Sequence, residues 1–309
     1  MTPMPKAPAE WVAHGERGST ILLRAMAFVS LRFGRRFSRI FLYGIAAYFF
    51  LFAPSAKLNS LGYLQLVLNR APRALDRFRQ ILSFATTIHD RVYLINEQFE
   101  IFNITLEGES TVLSLANAGR GALLLGAHMG SFEVMHCLGR HHAGLRIAMA
   151  MYEENARKIS AILAAINPRL EPDIVPLGRI DAMLHIAERL ERGVFVGVLA
   201  DRTLGDEPVQ PVTLLGKQAL LPIGPMRAAA ILRCPVYFMA GLYRGDNRYH
   251  IVFRQIADFS LPTIGGRSAA VRAAIERYAQ VLEHCCRSDP YNWFNFFDFW
   301  RSGTARQST

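Results

Sequence analysis

The chain has 309 residues, 51% of them hydrophobic, and a formal net charge of +10 at pH 7. Its length and apolar content suffice for a full core and exclude a largely disordered chain, and no repeat occurs at solenoid or propeller periods. A pI near 9.8 with a mean hydropathy of +0.16 narrows the partners to anionic ones: nucleic acid, an acidic membrane surface or a phosphate-bearing substrate.

The first 40 residues place Arg17, Arg24, Arg32, Arg35, Arg36 and Arg39 among large apolar side chains. Ile40 to Ala53 follows as 14 uncharged residues closed by Pro54, short of the roughly 20 that a spanning helix needs. The run starts too late, after a mixed-charge segment, to be a signal peptide. An apolar, aromatic helix flanked by arginines is expected to lie in the plane of an anionic membrane surface; a buried core helix is the alternative. Zinc-finger spacing, an RNP-like aromatic run and a recognition helix are all missing, which argues against nucleic acid. Leu75, Phe78, Ile81, Leu82, Ala85 and Ile88 then recur at helical spacing and are expected to face the core, with His89 beside them as a structural residue. Residues 1–110 thus read as an N-terminal helical, membrane-associating region.

From about residue 110 the pattern alternates. Apolar strand-like runs at Ala122–Ala127, Leu145–Met151, Asp173–Leu177 and Val194–Ala200 are separated by helical stretches at Phe132–Leu138, Glu154–Ile166 and Asp181–Leu190. Pro222 and Pro225 open a helix through Arg233; "CPVYFMAGLY" and "YHIVFRQI" are strands joined by the turn "RGDNR". A last helix after Gly266 carries Val271, Ile275, Tyr278, Leu282 and Cys285 on one face. The expectation for 111–309 is an α/β domain, a mixed central sheet flanked by helices. Cys137, Cys234, Cys285 and Cys286 form no CxxC pair and read as small, reduced core residues.

In such sheets reactive groups gather where strands end and helices begin. His128 stands at such a point, in "GALLLGAHMGSFEV", and Glu133 follows after four residues. With Gly126–Gly130 as the turn, a histidine there and a glutamate in the first helical turn can meet, and Gly130 would let substrate approach the backbone. A carboxylate on one imidazole nitrogen fixes the tautomer and leaves the other nitrogen as base. A second strand ends in Asp201 and Arg202, "PVTLLGKQALLPIGPMR" sets Lys217 and Pro222 before a small-residue helix, and "DPYNWFNFFDFW" is a dense aromatic strip. That strip, with Trp293 and Trp300, suits core closure and interface contact equally. GxGxxG is absent, and His136, His141 and His142 lack a three-ligand metal pattern.

In this order the blocks resemble the late lipid A acyltransferase-like branch of the lysophospholipid acyltransferase superfamily, from roughly Trp11 to Trp300. The family's histidine, four residues and an acid are matched by His128 and Glu133, its later strand-end acid by Asp201–Arg202, its C-terminal tryptophan block by Tyr291–Phe294. The opening "HGERGS", His14 to Ser19, is more similar to a sub-branch tied to aryl polyene pigment lipids. The family's arginine-rich stretch has no clear counterpart; Arg157, Lys158 and Arg179 are the choices.

The resemblance implies an acyltransferase that moves a fatty or polyene acyl group from an acyl carrier protein or coenzyme A thioester to the hydroxyl or amine of a lipid acceptor. His128 would be the base oriented by Glu133, and Arg202 or N–H groups near Gly130 would meet the oxyanion, with Asp201 in support. No cofactor, metal or nucleic acid is implied. The place of action would be the cytoplasmic face of the inner membrane, with the protein peripheral or monotopic. A non-catalytic lipid-binding relative and a thioester hydrolase using the same pair are the alternatives.

Overall fold

The computed structural model describes residues 20–52, 54–135, 145–203, 207–262, 265–297 and 299–300. Four helices come first: α1 (Thr20–Phe33), α2 (Arg35–Phe52), α3 (Pro54–Leu68) and α4 (Ala74–Ile95). Then follow β1 (Asn103–Glu107), α5 (Glu109–Asn117), β2 (Leu123–Gly126), β3 (Ile147–Tyr152), α6 (Glu153–Ile166), β4 (Ile174–Leu177), α7 (Ala182–Glu191) and β5 (Phe195–Leu199). The chain continues through β6 (Val209–Leu214), β7 (Lys217–Pro222), α8 (Gly224–Leu232), β8 (Pro235–Tyr243), β9 (Arg248–Asp258) and α9 (Arg267–Ser288).

Seven strands form one sheet in the order β1-β9-β8-β2-β5-β3-β4, parallel throughout except at β8–β9. The α/β class expected from the alternation is therefore present. β1, within the first 110 residues, completes one edge of this sheet. β2 is central and buried at every position, as a parallel strand covered on both faces must be. Leu123, Leu125, Val196 and Phe238 point into a core with α8 and α9; Leu124, Phe195 and Met239 point into a second core with α4, α5 and α6. β6 and β7 make a separate hairpin, closed by Leu215 and Gly216 at positive φ, the backbone a two-residue hairpin turn requires. Lys217 and Pro222, which the sequence places only before a helix, are the two ends of β7.

α2 carries its hydrophobicity outward. Its buried residues are Ser38, Leu42 and Ala46, one turn apart, while Phe37, Ile40, Phe41, Tyr48, Phe49, Leu51 and Phe52 are exposed. The small inner stripe lets α2 lie close along α4. Among the described residues no helix is long and apolar enough to cross a membrane.

α4 corrects the sequence reading. Leu75 is 55% exposed and Phe78, Ile81, Leu82, Ala85 and Ile88 are only half-buried, whereas Asp76, Arg77, Gln80, Thr86, Thr87, His89 and Asp90 are buried. Helical period identifies an apolar face but not what covers it, and Phe78 packs against Phe50 of α2. Much of the polar face is partnered, as buried polar groups usually are, while Arg77 Nε and Thr86 Oγ1 make no hydrogen bond among the described residues. Asp90 receives two bonds from Arg35, at 2.7 and 2.8 Å, and one from Tyr249 at 2.8 Å. His89 lies between the hydroxyls of Ser30 and Ser38, at 3.1 and 2.9 Å.

Candidate active site

His128 and Asp201 meet because of strand register. β2 and β5 are parallel, with Gly126 beside Leu199. Two residues further along both chains, past the strand ends, the same register sets His128 beside Asp201. Even-numbered residues of β2 and odd-numbered residues of β5 share a sheet face, so the two side chains emerge on one side.

His128 Nδ1 lies 2.8 Å from Asp201 Oδ1. The other carboxylate oxygen accepts two donors, the His128 backbone N–H at 3.1 Å and Trp293 Nε1–H at 3.0 Å. Asp201 and Trp293 are fully buried, while the His128 side chain is 32% exposed. Arg202 stands behind the pair, its Nε 4.0 Å from Asp201, donating Nη2–H to Phe294 O at 2.9 Å and lying over the Phe297 ring.

Burial would raise the Asp201 carboxyl, but the His128 imidazole, Arg202 and Trp293 hold it well below the ordinary carboxylate range. An ionised carboxylate only accepts, so Nδ1 carries the proton and Nε2 is the bare nitrogen. Nε2 makes no hydrogen bond among the described residues. Burial, assisted by Arg202 and opposed by Asp201, moves the imidazole below its usual 6.5. A neutral histidine with a free, partly exposed Nε2 is equipped to take a proton at neutral pH.

The carboxylate on Nδ1 is therefore Asp201 and not Glu133. Glu133 Oε1 pairs with Arg91 of α4 at 2.7 Å, and Oε2 accepts from Ser131 Oγ at 3.1 Å. The physical reason is competition: the parallel register delivers Asp201 to Nδ1, and α4 presents a guanidinium to Glu133. Arg91 and Trp293 Nε1 are parts of this site that sequence reasoning missed. A signal for Asp201 was present, since "GAH" and "LAD" end two neighbouring apolar runs in the same phase.

Gly130 also has a different task from the one expected. Its N–H donates to Asn292 O at 2.9 Å, so it is not open to an oxyanion. It adopts φ +62°, and a Cβ there would sit 2.0 Å from Gly241 O. The close approach is by β8, not by substrate. Asn292 completes the brace by exchanging two bonds with the Tyr243 backbone, at 2.7 and 2.9 Å. Gly130→Ala is expected to cost about 2–4 kcal/mol in urea unfolding, from positive φ plus overpacking.

Of the arginine choices, Arg179 pairs with Asp181 and Lys158 with Glu154, both on the surface. His14 to Ser19, His136, Cys137, His141 and His142 lie outside the described residues. Among the described residues no group of three or more His, Cys, Asp or Glu side chains is arranged to hold a metal ion. Cys234, Cys285 and Cys286 are free and buried, and burial pushes the first two thiols up to about 12.

Comparison with known proteins finds no match among curated sequences. The family model described as bacterial lipid A biosynthesis acyltransferase matches residues 80–302, and the chain belongs to that family.

Proposed function

We propose that this acyltransferase carries out its transfer at a membrane surface, with His128 as general base and Asp201 as the carboxylate that orients it. The observation that carries the proposal is the 2.8 Å contact from His128 Nδ1 to a fully buried Asp201. Nε2 takes the proton of the acceptor hydroxyl as its oxygen attacks the thioester carbonyl. The tetrahedral oxyanion collapses, the carbon–sulfur bond breaks, and the leaving thiolate recovers the proton from the imidazolium. Arg202, fixed by Asp201 and Phe294, is the cation proposed to offset the oxyanion charge. Glu133 acts with Arg91 to fix the start of the helix after Ser131. The donor is an acyl carrier protein or coenzyme A thioester carrying a fatty or polyene chain. The narrower assignment to an aryl polyene lipid acceptor rests on His14 to Ser19 alone.

The outward aromatic face of α2 supports membrane contact, because so large a contiguous apolar patch is costly in water. Exposed Arg24, Arg32 and Arg36 beside it favour an anionic leaflet. The proposed location is the cytoplasmic face of the inner membrane, with the protein peripheral. Thiol release from an acyl thioester is expected only when a lipid acceptor is present. Release without acceptor would make the protein a hydrolase, and no release a binder. Because the imidazole is depressed below 6.5, kcat/KM should be flat through neutral pH and fall only on the acid side, as Nε2 becomes protonated. An acid limb centred above pH 6.5 would contradict the assignment.

A further inference from the structure

Among the described residues, Arg77 of α4 is a buried cation without a carboxylate partner. Asp76 is held by Arg70 at 2.7 and 3.0 Å, by Tyr291 Oη–H at 2.7 Å and by the Arg73 N–H at 2.7 Å. Asp90 belongs to Arg35, and Glu133 to Arg91. Arg77, in the same helix, is 6% exposed, and its Nε is buried without an acceptor. Its guanidinium lies over the ring of Phe50 on α2, 4.5 Å from the ring centroid. No carboxylate among the described residues pairs with it. The adjacent Asp76 is fully engaged elsewhere.

Arginine stays charged in proteins, so burial cannot be relieved by losing the proton. Burial does lower its affinity for that proton. A buried cation facing only a ring is poorly compensated, and its planar fork suits a phosphate better than any neighbour it has. Phe50 belongs to the helix whose outer face is aromatic, which sets the guanidinium at the seam between α2 and α4, next to the surface assigned to the membrane.

We propose that Arg77 is an anion site for the phosphate of a membrane lipid headgroup, received at the α2–α4 seam. This rests on the membrane contact proposed for α2 and is independent of acyl transfer. The test uses the full chain carrying His128→Ala, so that binding is read without turnover. Dihexanoyl phosphatidic acid, coenzyme A and inorganic phosphate are titrated separately, following the dissociation constant and Tm. Arg77→Leu is expected to weaken phosphatidic acid binding at least tenfold while leaving the lipid-free Tm unchanged or higher, because an uncompensated cation is removed. Arg77→Lys, which keeps charge but loses the fork, should weaken it less and serves should the leucine variant not fold. Unchanged phosphatidic acid affinity in these variants overturns the proposal. So does an Arg77-dependent affinity for coenzyme A, or for inorganic phosphate, that equals or exceeds the lipid's. In the chain with His128 intact, absence of thiol release together with retained phosphatidic acid binding would defeat the acyl-transfer mechanism and leave this site standing.

Discussion

Asp201→Asn is expected to lower kcat by about 10²–10⁴-fold with the fold intact, the scale of lost general-base assistance. The size follows from where the hydrogens must go. Asp201 Oδ2 accepts from both the His128 backbone N–H and Trp293 Nε1–H. An asparagine must therefore turn its carbonyl oxygen to those two donors and its NH₂ to His128 Nδ1. Nδ1 then has to accept, the ring proton moves to Nε2, and the nitrogen facing substrate is no longer a base. Imidazole ¹⁵N shifts should show Nδ1–H in the native protein and Nε2–H in Asp201→Asn. Glu133→Gln, which disturbs the Arg91 pair and not Nδ1, should keep the native tautomer. Were Glu133→Gln to reverse the tautomer while Asp201→Asn did not, the two carboxylates would have to exchange roles.

The largest stability effect is expected at Asp90. Its side chain is fully buried and Arg35 is 9% exposed, so Asp90→Ala leaves a guanidinium without its charge partner and Tyr249 without its acceptor. Removing one member of a buried pair typically costs 3–5 kcal/mol, a large share of the roughly 5–15 kcal/mol that holds a domain. Urea denaturation would measure it. Burial would raise the Asp90 carboxyl, but the His89 ring 3.6 Å away and the bonds from Arg35 and Tyr249 hold it below the ordinary range. Its contribution is thus present above about pH 4, the unfolded value, and is lost as pH falls through the lower folded value. Losses under ~1 kcal/mol would mean that the Asp90–Arg35 pair adds little to holding α2 on α4. Arg39, which donates to Tyr243 Oη at 3.1 Å and to Asp246 O at 2.8 Å, ties the same helix to the β8–β9 turn.

Phase and period account for what was legible before the structure. A parallel strand buried on both faces must be continuously apolar, so β2, β5 and β8 announce themselves, and the helices between them follow from their 3.6-residue spacing. His128 was visible because a polar residue closing such a run stands at the active edge of an α/β sheet. The same logic fails for α4. A helix bearing an apolar stripe and an ionic stripe has two faces of comparable content, and which one is buried depends on whether Arg35, Tyr249 and Tyr291, distant in sequence, arrive to partner the second.

By itself the sequence determined the layered α/β architecture, the basic and aromatic character of the N-terminal third and the place of His128 at the end of a buried strand, because each is written in local spacing and composition. Only the tertiary structure decided that Asp201 rather than Glu133 holds His128, that Gly130 yields to β8 rather than to substrate, and that Arg77 meets a ring and no acid among the described residues. Those outcomes depend on register between strands 73 residues apart and on which charges already have partners, and neither is a property of any short stretch of chain.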